Sequence, residues 1–472
     1  LLLCHHIASD GWSAAPLARD LSTAYAARVQ GKPPAWAPLP VQYADYTLWQ
    51  RELLGDEKDA RSVVTRQLSY WQHALAGLPE QLELPTDRPR PAESSYRGEN
   101  LLIRIAAPVH QKLADLARER QASLFMVLQA ALAALFTRMG AGTDIVLGSP
   151  VAGRTDEALD ELVGFFVNTL VLRTDTSGNP SFLDLLARVR ETNLNAYERQ
   201  DLPFERLVEV LNPVRSMARH PLFQVSLVFQ NNARIRFALP GLEVSAQPIG
   251  MSTAKFDLSF TLWEQLDKAG KAQGIACRVE FATDLFDRAT VEQLLARLQR
   301  VLEAIAHDPA QPIGNIEILQ PEERAQILLG WNDTAHPVPE ATLPSLFEQQ
   351  VARAPDATAL VFEDTSLSYA ELNARANQLA HHLIAQGVGP ESFVALALPR
   401  SLELVTALLA ILKAGAAYVP LDVDYPKDRL AFMLQDASPV CMISNIATAQ
   451  LLPRGTPTLR LDDATLVTAL AA

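Results

Sequence analysis

Apolar positions before residue 307 recur with two different periods. A helical period predicts helices at 12–29, in two stretches between 41 and 78, at 109–139 with a break near 122–123, and at 181–197, 203–211 and 288–305. Ser123 is placed to cap the helix after that break. Runs rich in β-branched and aromatic residues predict strands at 100–105, 144–151, 165–173, 222–230, 256–263 and 274–281. This mixture predicts a layered α/β or α+β sandwich, with helices covering a mixed sheet.

The composition changes after residue 307. Prolines become frequent, at positions 309, 312, 321, 337, 339 and 344. They predict a linker over 308–342 with one short helix at 322–329. Beyond it the pattern predicts helices at 345–353, 368–386 and 401–414 and strands at 358–362, 392–398 and 417–419, an alternation typical of an open α/β sheet. We therefore divide the chain into domains at 1–307 and 343–472.

The opening segment combines a buried-strand pattern with two histidines. Residues 1–4 are apolar and predict the end of a strand, and a helical pattern follows. Ser13 is a candidate helix cap and Pro16 suits a first turn, so the positive end of the helix favours neutral imidazole nearby, which can accept a proton. Because residues of an extended segment alternate faces, His5 and His6 point to opposite sides and only one faces any given cavity. Taken alone, such a pair is more often a hydrogen-bonded polar corner than a catalytic site.

Length, charge and cysteine content exclude several classes of protein. The chain has 472 residues, of which 49% are hydrophobic, so a large core is available, and its net charge of -13 argues against a nucleic-acid partner. The apolar run at 404–412 is too short to span a bilayer, and the sequence pattern leads us to expect no signal peptide. The three cysteines lack the spacing of a disulfide framework or a metal site and fit a reducing cytoplasm. Cys4 beside the histidines is a candidate nucleophile, but its place at the end of an apolar run predicts a buried, inert thiol.

The string His-His-x-x-x-Asp-Gly at 5–11 resembles the active-site motif of the condensation domains of nonribosomal peptide synthetases, which are relatives of chloramphenicol acetyltransferase. Three further segments resemble motifs of that family in the same order: Tyr-Ala-Asp-Tyr-Thr-Leu-Trp at 43–49, Val-Gly-Phe-Phe-Val-Asn-Thr at 163–169 and Gln-Asp-Leu-Pro-Phe-Glu at 200–205. Each has an ordinary explanation when read alone, with Asn168 as a strand-edge amide and Pro203 as a helix start. Their order makes the resemblance specific.

The resemblance implies a condensation sandwich over 1–307 that lacks its amino-terminal part and enters its carboxyl-terminal lobe at about residue 98. The chain has no initiator methionine, which also predicts a fragment. The resemblance makes His6 the catalytic residue, and the supporting motif residues are His5, Asp10, Gly11, Trp12, Asn168, Gln200 and Asp201. Asp10 invites the hypothesis of a catalytic dyad with His6. We expect a structural role instead, with an arginine partner that the family pattern places in the missing upstream part.

The chain also departs from the family pattern. Arg199 stands where the family often has His or Asn, and residues 215–222 are a loose version of Arg-Asp-x-Ser-Arg-Asn-Pro-Leu. These differences affect the side expected to face carrier domains.

Residues after 342 resemble the amino-terminal part of an adenylation domain, an AMP-binding enzyme. The matching segments are Leu-Ser-Tyr-Ala-Glu-Leu at 367–372 and Leu-Lys-Ala-Gly-Ala-Ala-Tyr-Val-Pro-Leu-Asp at 412–422. Residues 413–415 are by themselves a helix end with glycine near its cap. The Gly/Ser/Thr-rich loop with lysine that cradles ATP phosphates is absent, so we expect no adenylation activity from this chain. ATP and magnesium belong only to the full adenylation domain.

The resemblance implies amide formation between a donor acyl or peptidyl thioester and an acceptor aminoacyl thioester, both carried by phosphopantetheine on partner carrier domains. The opening motif favours the subtype that joins two L-residues. Epimerisation is an alternative within the same superfamily, although Gly11 and the adenylation-like segment weigh against it. A non-catalytic domain that docks carrier proteins is a third alternative. We expect no nucleic acid, membrane or metal to take part in the reaction. His6 is expected either to accept a proton from the attacking amine or to orient that amine.

Overall fold

A computed structural model describes residues 3–230, 237–245, 247 and 252–471. The chain divides into two units, Leu1–Asp333 and Thr334–Ala472. We describe each unit by itself.

The first unit contains nine α-helices and six strands among its described residues. The helices are α1 (Ala14–Val29), α2 (Tyr43–Leu54), α3 (Val63–Ala74), α4 (Ala107–Glu119), α5 (Leu124–Arg138), α6 (Phe182–Tyr197), α7 (Phe204–Leu211), α8 (Arg288–His307) and α9 (Pro321–Ala325). The strands are β1 (Gly98–Ile105), β2 (Asp144–Val151), β3 (Asn168–Asp175), β4 (Val225–Phe229), β5 (Leu258–Leu266) and β6 (Ala272–Ala282). The predicted layered arrangement of helices and a mixed sheet is confirmed.

The six strands form one mixed sheet in the order β1-β6-β5-β4-β2-β3. The pairs β1/β6, β6/β5 and β2/β3 are antiparallel, while β5/β4 and β4/β2 are parallel. Strands β2 and β4 are paired at one position, Gly148 with Ser226, whereas β4 and β5 are paired at five. The sheet is therefore narrowly joined between β2 and β4.

Helix α5 is the centre of the core because it is apolar on every side. All residues from 126 to 136 are buried, a pattern typical of a helix surrounded by protein. Ser123 caps this helix as predicted, with its hydroxyl accepting the Met126 N–H at 3.2 Å. The core around α5 includes side chains of α4, α6, α8 and the sheet.

The proline-rich segment after residue 307 packs onto this core. Ile313, Ile316 and Ile318 are buried in the cluster around α5. The Phe182 N–H donates to the Gln311 carbonyl at 3.1 Å, which ties the segment to the start of α6. Residues 308–333 thus belong to the first unit, because apolar side chains recur between the prolines and are covered by the core.

The strand predicted at the start of the chain is not observed in the residues described there. Leu3 is 90% exposed and Cys4 is exposed, so the expectation of a buried thiol was wrong. Neither residue pairs with a strand within the described ranges, and a lone strand has no partner for its backbone groups. Residues 1 and 2 lie outside the described residues.

The second unit contains a parallel sheet in the order β10-β9-β11-β12 and a hairpin, β7-β8. Its strands are β7 (Thr358–Phe362), β8 (Thr365–Ser368), β9 (Phe393–Ala397), β10 (Ala417–Pro420), β11 (Cys441–Ser444) and β12 (Thr458–Arg460). Its helices are α10 (Leu343–Arg353), α11 (Tyr369–Ala385), α12 (Leu402–Lys413), α13 (Lys427–Ala437), α14 (Ile446–Ala449) and α15 (Ala464–Ala471). The predicted open α/β sheet is confirmed. Strands β8, β11 and β12 and helices α13 to α15 are additions to the prediction.

Within the described ranges, no single helix has the length and hydropathy to cross a membrane. The pair α4 and α5 meets that test only together, across a bend of 108°.

We predict that Gly148→Ala destabilises the first unit by about 2 kcal/mol, because a Cβ at 148 would lie 2.1 Å from the buried Phe223 ring. Chemical denaturation measures the change. Gly389→Ala is the control, since its Cβ would meet nothing within 4 Å. Equal stability of the two variants would contradict this packing.

Candidate functional site

The two histidines lie in one tight turn and have different roles there. Residues His6–Ala8 form a 3₁₀ turn, which replaces the extended segment expected at 5–6. The His5 Nδ1 accepts the Ile7 N–H at 3.1 Å, so His5 caps this turn. The His6 Nδ1 lies 2.9 Å from the Ser9 carbonyl oxygen. Because a carbonyl oxygen only accepts, the proton of neutral His6 is on Nδ1 and its Nε2 is left as an acceptor.

His6 faces a cavity of about 760 Å³. Its ring packs edge-on against Phe165 with the ring centroids 5.3 Å apart. The cavity lies over the narrow joint of the sheet, since Pro150 of β2 and Ser226 of β4 both line it. Other lining side chains come from the start of α7, from β3 to β5 and from the loops before β4 and β5: Val167, Thr169, Phe204, Glu205, Val208, His220, Phe223, Val228, Lys255, Phe256 and Ser259.

Asp10 is buried in a cluster just behind the histidine turn. Its Oδ1 accepts the Ser13 N–H at 2.9 Å and the Ser13 hydroxyl at 2.8 Å, and its Oδ2 accepts the Phe166 N–H at 3.0 Å. The Arg154 Nη2 lies 3.5 Å from the Asp10 Oδ1, and the guanidinium lies 4.1 Å from the Phe166 ring centroid. The Asp10 and Arg154 side chains are 0% and 4% exposed, so this is a buried ion pair.

Two expectations about this cluster are corrected. The arginine partner of Asp10 is Arg154 of this chain, not a residue upstream of it. Ser13 makes no capping hydrogen bond to α1, because its hydroxyl instead donates to Asp10 and contacts the Gly164 backbone, with 2.8 Å to the carbonyl oxygen. The contacts of Asp10 run to Ser13, Phe166 and Arg154, and His6 Nδ1 bonds to Ser9, so the geometry favours the structural role over the dyad.

The charge of Asp10 is stabilised by its neighbours. Burial alone raises the pKa of the Asp10 carboxyl, but the Phe166 N–H, the Ser13 hydroxyl and N–H and the charge of Arg154 together hold that pKa below its usual value. Asp10 is therefore ionised at neutral pH.

The segment around Gly164 is closely packed on α2. A Cβ at 164 would lie 2.4 Å from the Tyr43 ring, so only glycine fits there. The Tyr43 hydroxyl donates to the Phe165 carbonyl at 2.6 Å. Gly11 and Trp12 lie in the turn before α1. The motif at 43–49 thus supports the backbone that carries Phe165 beside His6.

The other motif residues clamp the start of α7. The Asn168 Nδ2 donates to the Gln200 and Leu202 carbonyls at 2.8 and 2.7 Å, and its Oδ1 accepts the Phe204 N–H at 3.0 Å. The Asp201 Oδ2 accepts from Gln67 Nε2 at 2.8 Å. Asn168 is therefore more than an edge amide, since it fixes the loop that presents Phe204 and Glu205 to the cavity.

Arg199, the first departure from the family pattern, has a packing role. Its guanidinium carbon lies 4.4 Å from the Tyr70 ring centroid, and its carbonyl accepts from the Trp71 Nε1 at 3.0 Å. Sequence reasoning missed Arg154 and Lys255 because neither lies in a quoted motif. Their only signal is their position near a predicted strand, with Arg154 three residues after the strand at 144–151 and Lys255 directly before the strand at 256–263.

Comparisons with known proteins agree with this geometry. A family model described as condensation domain matches residues 1–328, and one described as AMP-binding enzyme matches residues 347–471. The chain is 57% identical over 465 residues to a dimodular nonribosomal peptide synthase of Bacillus subtilis. That match covers 98% of this chain and 20% of the relative, so the chain spans a small part of the relative's length.

Two solved structures extend the comparison. The X-domain in its complex with OxyB from teicoplanin biosynthesis is 38% identical, with a TM-score of 0.62 over 67% of this chain and 69% of that chain. A four-domain nonribosomal peptide synthetase bound to AMP and glycine is 25% identical, with a TM-score of 0.81 over 98% of this chain and 35% of that chain.

We predict that Asp10→Ala destabilises the first unit by about 3 kcal/mol, because it leaves the buried Arg154 charge without its partner. Thermal or chemical unfolding measures this, with the exposed Asp160→Ala as control. A variant that unfolds like the wild type but loses only catalysis would support the dyad instead.

We also predict that Asp10→Asn removes part of the acid dependence of stability. Because the pKa of Asp10 is lowered by folding, its contribution to the free energy of unfolding is complete above its unfolded pKa of about 4 and is lost as pH falls through the lower folded value. Unfolding curves between about pH 2 and pH 6 test this. Parallel curves for the variant and the wild type would contradict it.

Proposed function

The chain belongs to the condensation-domain family, and from that membership we propose that its first unit forms an amide bond between two carrier-bound substrates. The amine of an acceptor aminoacyl thioester attacks the carbonyl of a donor acyl or peptidyl thioester. The new C–N bond replaces the C–S bond, the thiol leaves on the donor carrier, and the amine loses a proton.

One observation carries this proposal: the His6 Nε2 is the ring nitrogen left to accept in a cavity of about 760 Å³. The contact of the His6 Nδ1 with the Ser9 carbonyl stabilises the tautomer that carries its proton on Nδ1, so Nε2 is free to accept a hydrogen bond. His6 then either takes the proton of the attacking amine or orients that amine as charge develops.

Positioning supplies much of the acceleration in this proposal. An α-amine titrates near 8 and an imidazole near 6.5, so part of the amine is already free at neutral pH and little proton-transfer work remains. Two tethered reactants held in one cavity gain a high effective concentration. The clamp made by Asn168 and the packing of Phe165 keep the cavity walls fixed for this purpose.

The partners in this proposal are an upstream and a downstream carrier domain, each bearing phosphopantetheine. The motif at 5–13 supports the subtype that joins two L-residues. We further propose that the condensation domain proper covers 1–307 and the AMP-binding region 343–472. The segment 308–342 connects them, and its first part, 308–333, packs on the core of the first unit. The second unit is the start of an AMP-binding region, for which ATP and magnesium are the cofactors of the full domain.

A second candidate function is protein docking without chemistry. The likeness to the X-domain supports it, since that domain is in complex with OxyB in its solved structure. The two functions differ in whether the His6 side chain is needed, and the following experiment separates them.

We predict that His6→Ala lowers the rate of amide formation at least about 100-fold, because the cavity loses its proton acceptor. Donor and acceptor amino acids are loaded on carrier domains, and mass spectrometry follows the carrier-bound dipeptide. His5→Ala is the matched control. Because the role of His5 is to cap the turn, this variant should retain most of the activity. Wild-type rates in His6→Ala, with carrier binding intact, would favour docking.

We predict no amino-acid-dependent pyrophosphate exchange by this chain. The glycines of the second unit, at 387, 389, 415 and 455, form no lysine-containing loop able to surround a triphosphate. Exchange of labelled pyrophosphate into ATP, tested with a mixture of all amino acids, is the measurement. Any exchange above that of a heat-denatured sample would contradict this prediction.

A further inference from the structure

A second histidine, His220, lines the same cavity as His6. It lies in the loop before β4, at the position where the family pattern has asparagine. It also lines two neighbouring cavities, of about 230 and 390 Å³. His220 and Pro221 therefore form the wall shared by three cavities.

The His220 ring is held in one orientation. Its Nδ1 lies 2.9 Å from the Pro221 carbonyl oxygen, so the proton of the neutral ring is on Nδ1 and Nε2 is left as an acceptor. Phe204 stacks on the ring at 5.7 Å between centroids, and Phe223 and Phe256 lie at 4.5 and 4.9 Å. Three aromatic rings and one hydrogen bond thus hold the ring in place at the wall of the cavity that His6 also lines.

The surroundings of His220 favour its neutral form. Burial lowers the pKa of His220 and the charge of Lys255 lowers it further, while the Pro221 and Phe223 carbonyls act in the opposite direction. The charged or titratable groups that share its three cavities are His6, Glu80, Arg90, Tyr96, Glu205, Arg219, Lys255, Asp257 and Asp284. Several of these are paired with each other, as Arg90 is with Asp257 and Arg219 with Glu80 at 2.6 Å.

We propose that His220 is a positioning residue whose Nε2 accepts a hydrogen bond from an N–H of the acceptor substrate. That N–H belongs either to the reacting amine or to an amide of the pantetheine arm. This proposal rests on the proposed function, because it takes the cavity to be the one that receives the acceptor. His220 orients the substrate, and the proton of the attacking amine goes to His6 or to solvent.

The geometry separates this role from simple packing. An asparagine at 220 can reproduce the Nδ1 contact with Pro221, but its side chain ends short of the Nε2 position. A glutamine can place its Oε1 near that position while it loses the Nδ1 contact. The two substitutions therefore test the anchor and the acceptor separately.

The experiment compares His220→Asn and His220→Gln in the full chain, with the exposed His73→Asn as control. Calorimetry or NMR titration measures binding of a stable aminoacyl-pantetheine amide, and of the matching acyl-pantetheine amide without the amine. We expect His220→Asn to bind the aminoacyl compound about tenfold more weakly, the upper range for one hydrogen bond, and His220→Gln to recover part of the loss. Because burial lowers the pKa of His220, wild-type binding should weaken only at a pH below the ordinary imidazole value of about 6.5, and the part of this dependence that comes from His220 should be absent in His220→Asn.

The two probes identify which N–H of the substrate donates the hydrogen bond to His220. If His220→Asn weakens binding of both probes, that N–H belongs to an amide of the pantetheine arm. If His220→Asn weakens binding of the aminoacyl compound only, that N–H belongs to the amine. In turnover assays the acceptor KM should rise while kcat changes little. Unchanged binding by His220→Asn, an absence of binding by the wild type, or losses that follow only the lowered Tm of each variant would overturn the proposal. Binding that depends on His220 without any amide formation would overturn the proposed function alone.

Discussion

The buried pair of Asp10 and Arg154 is the interaction on which the site depends. Arg154 follows β2, and its guanidinium also donates to the carbonyls of Leu159 and Leu162. Asp10 follows the histidine turn and accepts the Phe166 N–H. The pair therefore joins the turn that carries His6 to the segment that carries Phe165. Its cost is the desolvation of two charges, which the Ser13 hydrogen bonds and the Phe166 ring partly offset.

Much of the fold could be predicted from the sequence because its elements are strongly periodic. Helix α5 and strand β2 were predicted within one residue of their observed bounds, since both are mostly apolar segments with clear ends. The four motifs also brought together the correct neighbourhood: the segments at 5–13, 43–49, 163–169 and 200–205 all meet around Phe165 and Asn168. Local pattern and motif order carried these predictions.

The rest depends on contacts between residues far apart in the chain. Arg154 is 144 positions from Asp10, and no local pattern marks it as the partner of a buried carboxylate. Ser13 had the local chemistry of a cap, but the tertiary contact with Gly164 took its hydroxyl. The prolines after residue 307 suggested an open linker, and the buried isoleucines between them pack on a core that the local sequence does not contain.

The single paired position between β2 and β4 has a mechanical consequence. Separating these strands breaks the ladder at Gly148 and Ser226, whereas separating β4 from β5 breaks it at five positions. The backbone ladder therefore contributes less resistance to separation at this joint than between β4 and β5. The cavity lies over this joint, and the Phe223 ring that lines it packs closely against Gly148.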